Sequence, residues 1–320
     1  MDKPLINLTR KINNSTYPLA PIVLFTYNRP LHTKQTVQAL QKNYLASESE
    51  LYIYSDGPKD KNATEKVREV REYIKSIDGF KKVTIFERDK NLGLANNIIS
   101  GVTKIVNEYG KIIVLEDDIV TSKYFLKFMN EALEIYMNEK KVWHISGWNY
   151  PLDKDGLGDI FLWRGMNCWG WATWSDRWCF YKKDLNKIFG EFSKNDIYRF
   201  NLDGIENFWN QIILNKKGKI NSWAIFWYAT IFKQNGLCLN ASQTYAENIG
   251  YDGSGIHCGD VCSFVSNVSM NQHVDFNIKL EENAVAVERI KQFYKSQRKT
   301  FFVRAINKLS RIFFRYNLIK

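Results

Sequence analysis

No stretch of this 320-residue chain reaches the roughly 18 apolar residues that a membrane-spanning helix needs. The opening MDKPLINLTRKINNSTYPLA is polar, so it reads as a lead-in over 1–20 and not as an apolar leader. Five cysteines, at 168, 179, 238, 258 and 262, are odd in number and follow no disulfide framework; a reducing, cytoplasmic setting is expected. Zinc is disfavoured, because His257, Cys258 and Cys262 have no second cysteine pair. A Walker loop and a GxGxxG fingerprint are both missing. So are a GxSxG elbow and a Cys–His context, which excludes the usual nucleophilic serine or cysteine chemistry. There is no internal repeat and no low-complexity segment.

Acidic residues are absent from Arg289 to Lys320, where ten basic ones accumulate, while the whole chain carries a net charge of +11. The body is therefore close to neutral and the basicity belongs to a tail. A nucleic-acid binder would place that charge among its aromatics, so nucleic acid is not an expected partner. In TFFVRAINKLSRIFFRYNLIK, Phe302, Ile306, Leu309, Phe313 and Tyr316 share one helical face, and Arg304, Lys308, Arg311 and Arg315 the other. That pattern suits a helix lying in an anionic lipid interface, which predicts peripheral attachment to the inner face of the cell membrane. A helix packed on the body with its arginines in water is the competing reading.

Apolar runs and turn signals alternate through the first 145 residues. PIVLFTYNRP (21–30), ELYIYSDGPKD (50–60), KKVTIFERD (81–89) and KIIVL (111–115) read as strands. Between them, 32–43, 62–77 and 91–110 have helical spacing, with Asn62 and Asn91 suited to capping and Gly110 to termination. Such alternation predicts an α/β fold: a mostly parallel sheet with helices on both faces. The expected layout is a nucleotide-side half over 21–145, an acceptor-side half of the same domain over 146–280, and a tail over 281–320. The second half is rich in Trp and Gly, notably WRGMNCWGWATWSDRWCFY (163–181), and NIGYDGSGIHCGD (248–260) is a glycine-rich loop suited to closing over a ligand.

Ligands of parallel sheets bind outside the strands' carboxyl ends. Asn28 and Arg29, Asp56, Arg88, and then Glu116, Asp117 and Asp118 all fall there. Two readings of the acid triplet stand: a solvated turn before a helix N-terminus, or hard oxygen ligands for Mg²⁺ or Mn²⁺ bridging nucleotide phosphates. Asp56 suits a turn, or an acceptor for a pyrimidine imide N–H. NLGLANN, with Asn91 and Gly93, suits a helix start or a phosphate-facing backbone. His257 suits metal coordination or phosphate binding.

Taken together, PIVLFTYNRP, YIYSDGP, NLGLANNIISGV and VLEDDIVTSKYFLKFM resemble the nucleotide-sugar glycosyltransferases of the GT-A fold, in particular bacterial family-2-type enzymes that build lipopolysaccharide or capsule sugars. VLEDDIVTSKYF and WHISGWN are also similar to the Golgi acetylglucosaminyltransferase I group, and the likeness extends over about residues 20–262. The resemblance implies a UDP-sugar donor, a glycan or lipid-linked sugar acceptor, and Asp118 on the metal. Glu116 and Asp117 would contact ribose and donor sugar, Asp56 the base, and Arg29 and Arg88 the ribose and phosphates. Thr26, Asn28, Asn91 and Gly93 complete the nucleotide pocket. Aromatic faces in 163–181 would form the acceptor side. Where inverting relatives carry an Asp pair after Phe-Trp, NFWNQI has Asn210 and Gln211, and a neutral amide takes no proton. That leaves Glu206, Gln211 and Asp252 as candidates at the catalytic position, with Asp203 just upstream. A sugar nucleotidyltransferase would show a basic Gly-rich loop after its first strand, which FTYNRPLHTK is not. A non-catalytic carbohydrate-binding protein is the other alternative, and nucleoside diphosphate release separates it from an enzyme.

Overall fold

The computed structural model describes residues 17–251 and 267–297. Its first half alternates as the apolar runs suggest: β1 (Ile22–Thr26), α1 (Pro30–Gln41), β2 (Glu50–Ser55), α2 (Lys61–Lys75), β3 (Lys82–Glu87), α3 (Leu94–Tyr109) and β4 (Lys111–Glu116). These strands pair in parallel in the order β3-β2-β1-β4, so their carboxyl ends share one edge.

Both faces of this sheet are covered. Ile22, Leu24, Leu51 and Ile53 pack with Val37 and Leu40 of α1 and Val70 and Ile74 of α2. Val23, Phe25, Tyr52 and Tyr54 pack with Ala95, Ile98 and Val102 of α3 on the other side. Two buried faces explain why the strands lack polar alternation. Helix α3 comes so close that a Cβ on Gly101 would lie 2.7 Å from the Phe25 ring. Two expected caps are corrected. Asp60, not Asn62, caps α2, its carboxylate accepting from the Ala63 N–H at 3.0 Å. Gly93, with φ 74°, precedes α3 in place of Asn91, whose side chain is used elsewhere.

The second half extends the same sheet. After β4 come β5 (Ile119–Thr121), α4 (Phe125–Ile135), β6 (Val142–Ser146), β7 (Ile160–Trp163) and β8 (Trp171–Trp174). The short helices α5 (Ser175–Trp178), α6 (Leu185–Glu191), α7 (Lys194–Phe200), α8 (Trp209–Lys216) and α9 (Ala224–Lys233) precede β9 (Leu237–Ala241) and β10 (Ala246–Asn248). Strand β8 inserts between β4 and β6, antiparallel to both, and the full order is β3-β2-β1-β4-β8-β6-β9-β7. The expected α/β sheet flanked by helices is observed, with parallel pairing throughout its first half and mixed pairing beyond β4. The boundary expected near 145 falls within β6, and one sheet runs across it. Because β6 and β9 run with β4, their carboxyl ends reach the same edge as the acid triplet.

Helix α10 (Ala284–Ser296) corrects the start of the tail. It buries Ala286, Val287 and Ile290 on the body. Lys291 pairs with Asp203 at 2.7 Å, and the Tyr294 and Tyr150 hydroxyls hydrogen-bond at 2.8 Å. Residues 284–296 are thus part of the domain; the face from Phe302 to Tyr316 lies outside the described residues. No described helix is long and apolar enough to cross a membrane.

His144 in β6 links the segments around Asn167 and Trp227 from a fully buried position. Its Nε2 lies 2.9 Å from the Asn167 carbonyl and donates to it, since Nδ1 accepts from the Trp227 indole at 3.2 Å. That leaves a neutral ring with no room for a second proton, and burial pushes its pKa down to about 4. A depressed folded pKa contributes stability that is present above the unfolded value near 6.5 and lost as pH falls toward 4. Urea unfolding should therefore lose up to about 3 kcal/mol between pH 6.5 and 4 in the wild type, relative to His144→Gln, in which this dependence is absent. Equal pH slopes in the two proteins would contradict it.

Candidate active site

The acid triplet sits where β4 ends. β4 delivers Glu116, the next two residues turn, and β5 follows in place of the expected helix. The turn is tied on three sides: the Thr36 hydroxyl donates to the Asp117 carbonyl at 2.9 Å, the Ile249 N–H to the Asp118 carbonyl at 2.9 Å, and the Tyr27 N–H to Asp117 Oδ2 at 3.3 Å. Asp117 and Asp118 are only 5% and 7% exposed. Between them lies Arg29, whose Nη2 donates to Asp117 Oδ1 and, at 2.9 Å, to Asp118 Oδ2.

Among the described residues one guanidinium faces three carboxyl groups, and burial is the largest influence on how they titrate. Burial, with Asp118 and Asp117 adding to it, raises the Glu116 carboxyl. Burial also raises Asp117, against the pull of Arg29. Burial alone would lower the Arg29 guanidinium, yet Asp117 and Asp118 raise it on balance.

The second half of the chain closes over this turn. β10 pairs antiparallel with β5, which carries Gly250 against Asp118: a Cβ there would lie 2.4 Å from Asp118 Oδ2. The half-exposed Cys168 is near enough for Glu116 and Asp118 to add to the burial that raises its thiol. From Tyr251 an aromatic wall runs through Trp169, Trp148 and Tyr150, with ring centroids 5.6, 4.5 and 4.8 Å apart. Glu206 stands at its far end, contributing to the raised phenols of Tyr150 and Tyr294 after burial. Gln211 is exposed on α8, whose Trp209 and Ile212 face inward. Asp203 is engaged by Arg164 and Lys291 at 2.6 and 2.7 Å. Asp252 and His257 lie outside the described residues.

Asp56 gathers the second cluster. Its Oδ1 accepts from the Gly57 and Leu92 N–H groups at 2.9 and 2.8 Å, and its Oδ2 from the Gly93 N–H and Asn91 Nδ2 at 3.0 and 3.2 Å. All four acceptor positions of the carboxylate are engaged, so a base imide would have to displace one of these donors. Arg71, on α2 and not among the expected site residues, clasps the same strand ends through the Arg88 carbonyl at 2.7 Å. Arg88 itself is drawn onto α3 by Asn97 and Ser100 at 3.1 and 3.0 Å and lies over the Tyr54 ring. Thr26 Oγ1 is buried without a partner among the described residues, and Asn28 is half-buried in the β1–α1 loop. The structure thus joins Arg29 to the triplet and Asp56 to Asn91 and Gly93; the Arg88 backbone borders the Asp56 cluster while its side chain turns to α3, and Gln211 is exposed on α8. Gly250 and Cys168 were missed as individual positions, although each lies in a Gly- or Trp-rich stretch.

Among the described residues, no group of three His, Cys, Asp or Glu side chains is placed to hold a metal unaided. Mg²⁺-type sites commonly use one or two carboxylates and complete the shell with water and substrate phosphates. Hard oxygen donors at Asp118 and Glu116 fit that mode.

Residues 22–138 match the model of glycosyl transferase family 2. That span begins with β1 and ends just beyond α4, and it contains every ion pair of the acid triplet described above. No curated protein matches the chain. Among solved structures, S. aureus TarS 1–349 aligns at 12% identity and a TM-score of 0.41, over 71% of this chain and 59% of its own. A longer TarS structure is spanned over only 22% of its length. The mannosyltransferase PcManGT from Pyrobaculum calidifontis, in complex with GDP-Man and Mn²⁺, aligns at 10% identity and 0.34, covering 68% of this chain and 73% of its own. The galactosyltransferase LgtC, in complex with donor and acceptor sugar analogs, aligns at 8% and 0.38, covering 68% and 72%. At such scores these likenesses carry no weight beside the family match.

If Asp56 ties the loop, Asp56→Ala strips an acceptor from three backbone N–H groups and should lower unfolding stability by about 2–4 kcal/mol in urea titration. An unchanged midpoint would show that these hydrogen bonds are not needed.

Proposed function

We propose that this protein is a glycosyltransferase that moves a sugar from a nucleoside diphosphate donor to a glycan acceptor. The observation that carries the reading is the partly neutralised acid triplet at the carboxyl edge of a parallel sheet, inside the stretch that matches glycosyl transferase family 2. Asp118 and Glu116 would hold Mg²⁺ or Mn²⁺. When bound, the cation supplies neutralisation of the diphosphate as it departs. Arg29 adds a charge-assisted donor beside it, and the Asp56-tied loop shapes the nucleotide side, with a UDP-sugar as the favoured donor. The β4 backbone fixes these groups before the donor arrives, which is what electrostatic preorganisation requires.

Acceptor binding would fall to Trp169 and Tyr251, the half-buried rings of the aromatic wall from Tyr251 to Tyr150, because Trp148 and Tyr150 are core residues, as are Trp163, Trp171, Trp174 and Trp178 of the stretch expected on the acceptor side. Glu206, beside Tyr150 and Tyr294, is the described carboxylate on that wall suited to take the acceptor proton. Gln211 in place of an acid favours a second reading, a carbohydrate-binding protein of the same fold without transfer activity. Residues 298–320 support peripheral attachment to an anionic membrane, which would present a lipid-linked acceptor for lipopolysaccharide or capsule synthesis. The cut that tests attachment belongs after Gln297, because an earlier one would remove buried residues of α10.

Nucleoside diphosphate release from a panel of UDP- and GDP-sugars with Mn²⁺ tests the proposal. Asp118→Ala and Asp118→Asn should each lower release on the order of a thousandfold while melting near the wild type, and EDTA should do the same to the wild type. Full release by either variant, or in EDTA, would overturn it.

A further inference from the structure

Arg29 holds Asp118 Oδ2, an oxygen that a metal on Asp118 would also use. Among the described residues, ion pairs to the triplet come from Arg29 alone, through one nitrogen shared by Asp117 Oδ1 and Asp118 Oδ2. The other flank of Asp118 Oδ2 is closed by Gly250, where even a methyl would lie 2.4 Å from that oxygen and 3.0 Å from Arg29 Nη1. The oxygen therefore lies between a guanidinium and a backbone that tolerates no side chain at Gly250. A hard divalent cation sits about 2.0–2.1 Å from its carboxylate oxygen, which would put it against the guanidinium, charge facing like charge. Both cannot stay.

Asp117 shows where Arg29 goes. It holds the guanidinium through Oδ1, while the Tyr27 N–H on Oδ2 and the Thr36 hydroxyl on its carbonyl fix its own position. Arg29 can thus leave Asp118 and keep Asp117 as a pivot. Its freed N–H groups then lie beside the cation, where the diphosphate oxygens arrive.

Resting on the function proposed above, we infer that Arg29 is a placeholder cation: it covers Asp118 while the metal is away and passes to the diphosphate when metal and nucleotide bind. The residue is a positioning group with opposite effects on two ligands. Without nucleotide it opposes the metal, and with metal present it strengthens the diphosphate. Metal and diphosphate are coupled through it, and that coupling is reciprocal.

Two titrations on Arg29→Met test this: Mn²⁺ alone, followed by the paramagnetic resonance of the free ion, and UDP (with GDP in parallel) at saturating Mn²⁺ by calorimetry. The expected result is Mn²⁺ bound about tenfold more tightly than in the wild type and diphosphate about tenfold more weakly. A fixed brace predicts the reverse for the metal, because its loss would let the carboxylates splay; Mn²⁺ bound equally or more weakly overturns the inference. Removing Arg29 leaves Asp117 uncompensated, so the same titrations are run on Asp117→Asn with and without Arg29→Met, where the arginine's removal should again tighten Mn²⁺. If wild-type diphosphate affinity is indifferent to Mn²⁺, the metal role itself fails and this inference falls with it. If that dependence is present and Mn²⁺ does not tighten in either background, only the inference fails.

Discussion

Three carboxylates are forced together at the end of a strand that is buried on both faces, and most of the site follows from how their charge is compensated. Ile112, Ile113, Val114 and Leu115 are fully buried, so β4 cannot shift to relieve the crowding at its end. Arg29 takes up part of the charge and binds the β1–α1 loop to β4 in doing so. Among the described residues no second cation pairs with the triplet. Burying negative charge without a partner is costly, and groups held in that state are suited to binding a cation that arrives with a substrate.

The same crowding explains why the chain returns to this point late in its sequence. β10 crosses to pair with β5, Ile249 fixes the Asp118 carbonyl, and Gly250 closes the flank of its carboxylate. The aromatic wall begins one residue later at Tyr251 and leads away toward Glu206. The acid triplet and the aromatic run are joined because one sheet carries both: β8 lies beside β4, and β6 and β9 end on the same edge. Helix α10 packs on Tyr150 and Asp203 through Tyr294 and Lys291, which ties the segment before the basic tail to the body.

Much of this was legible in the sequence where a local pattern had one physical solution. Unbroken β-branched runs gave the parallel strands, Gly110 ended α3, and polar residues after each strand marked the edge. The parts that were not legible depend on contacts between distant residues. Asp60 and Asn62 are both good caps by type, and only the Ala63 N–H geometry separates them. Asp56 looked like a turn residue or a base reader, because its four donors come from two loops that meet only in the fold. The insertion of β8 between β4 and β6 has no local signature, as WATW is apolar whichever neighbours it pairs with. Arg29 was placed near the phosphates by resemblance, whereas its pairing with Asp117 and Asp118 needed coordinates.

The central claim is that the acid triplet serves a divalent cation and a nucleotide sugar together. Thermal melting of the full chain with UDP- and GDP-sugars, each with Mn²⁺ and with EDTA, tests it most directly, because a ligand that binds only the folded state raises the melting temperature. At least one nucleotide sugar should raise the midpoint with Mn²⁺ and lose that effect in EDTA. A shift of equal size in EDTA, or no shift with any donor, would contradict the account.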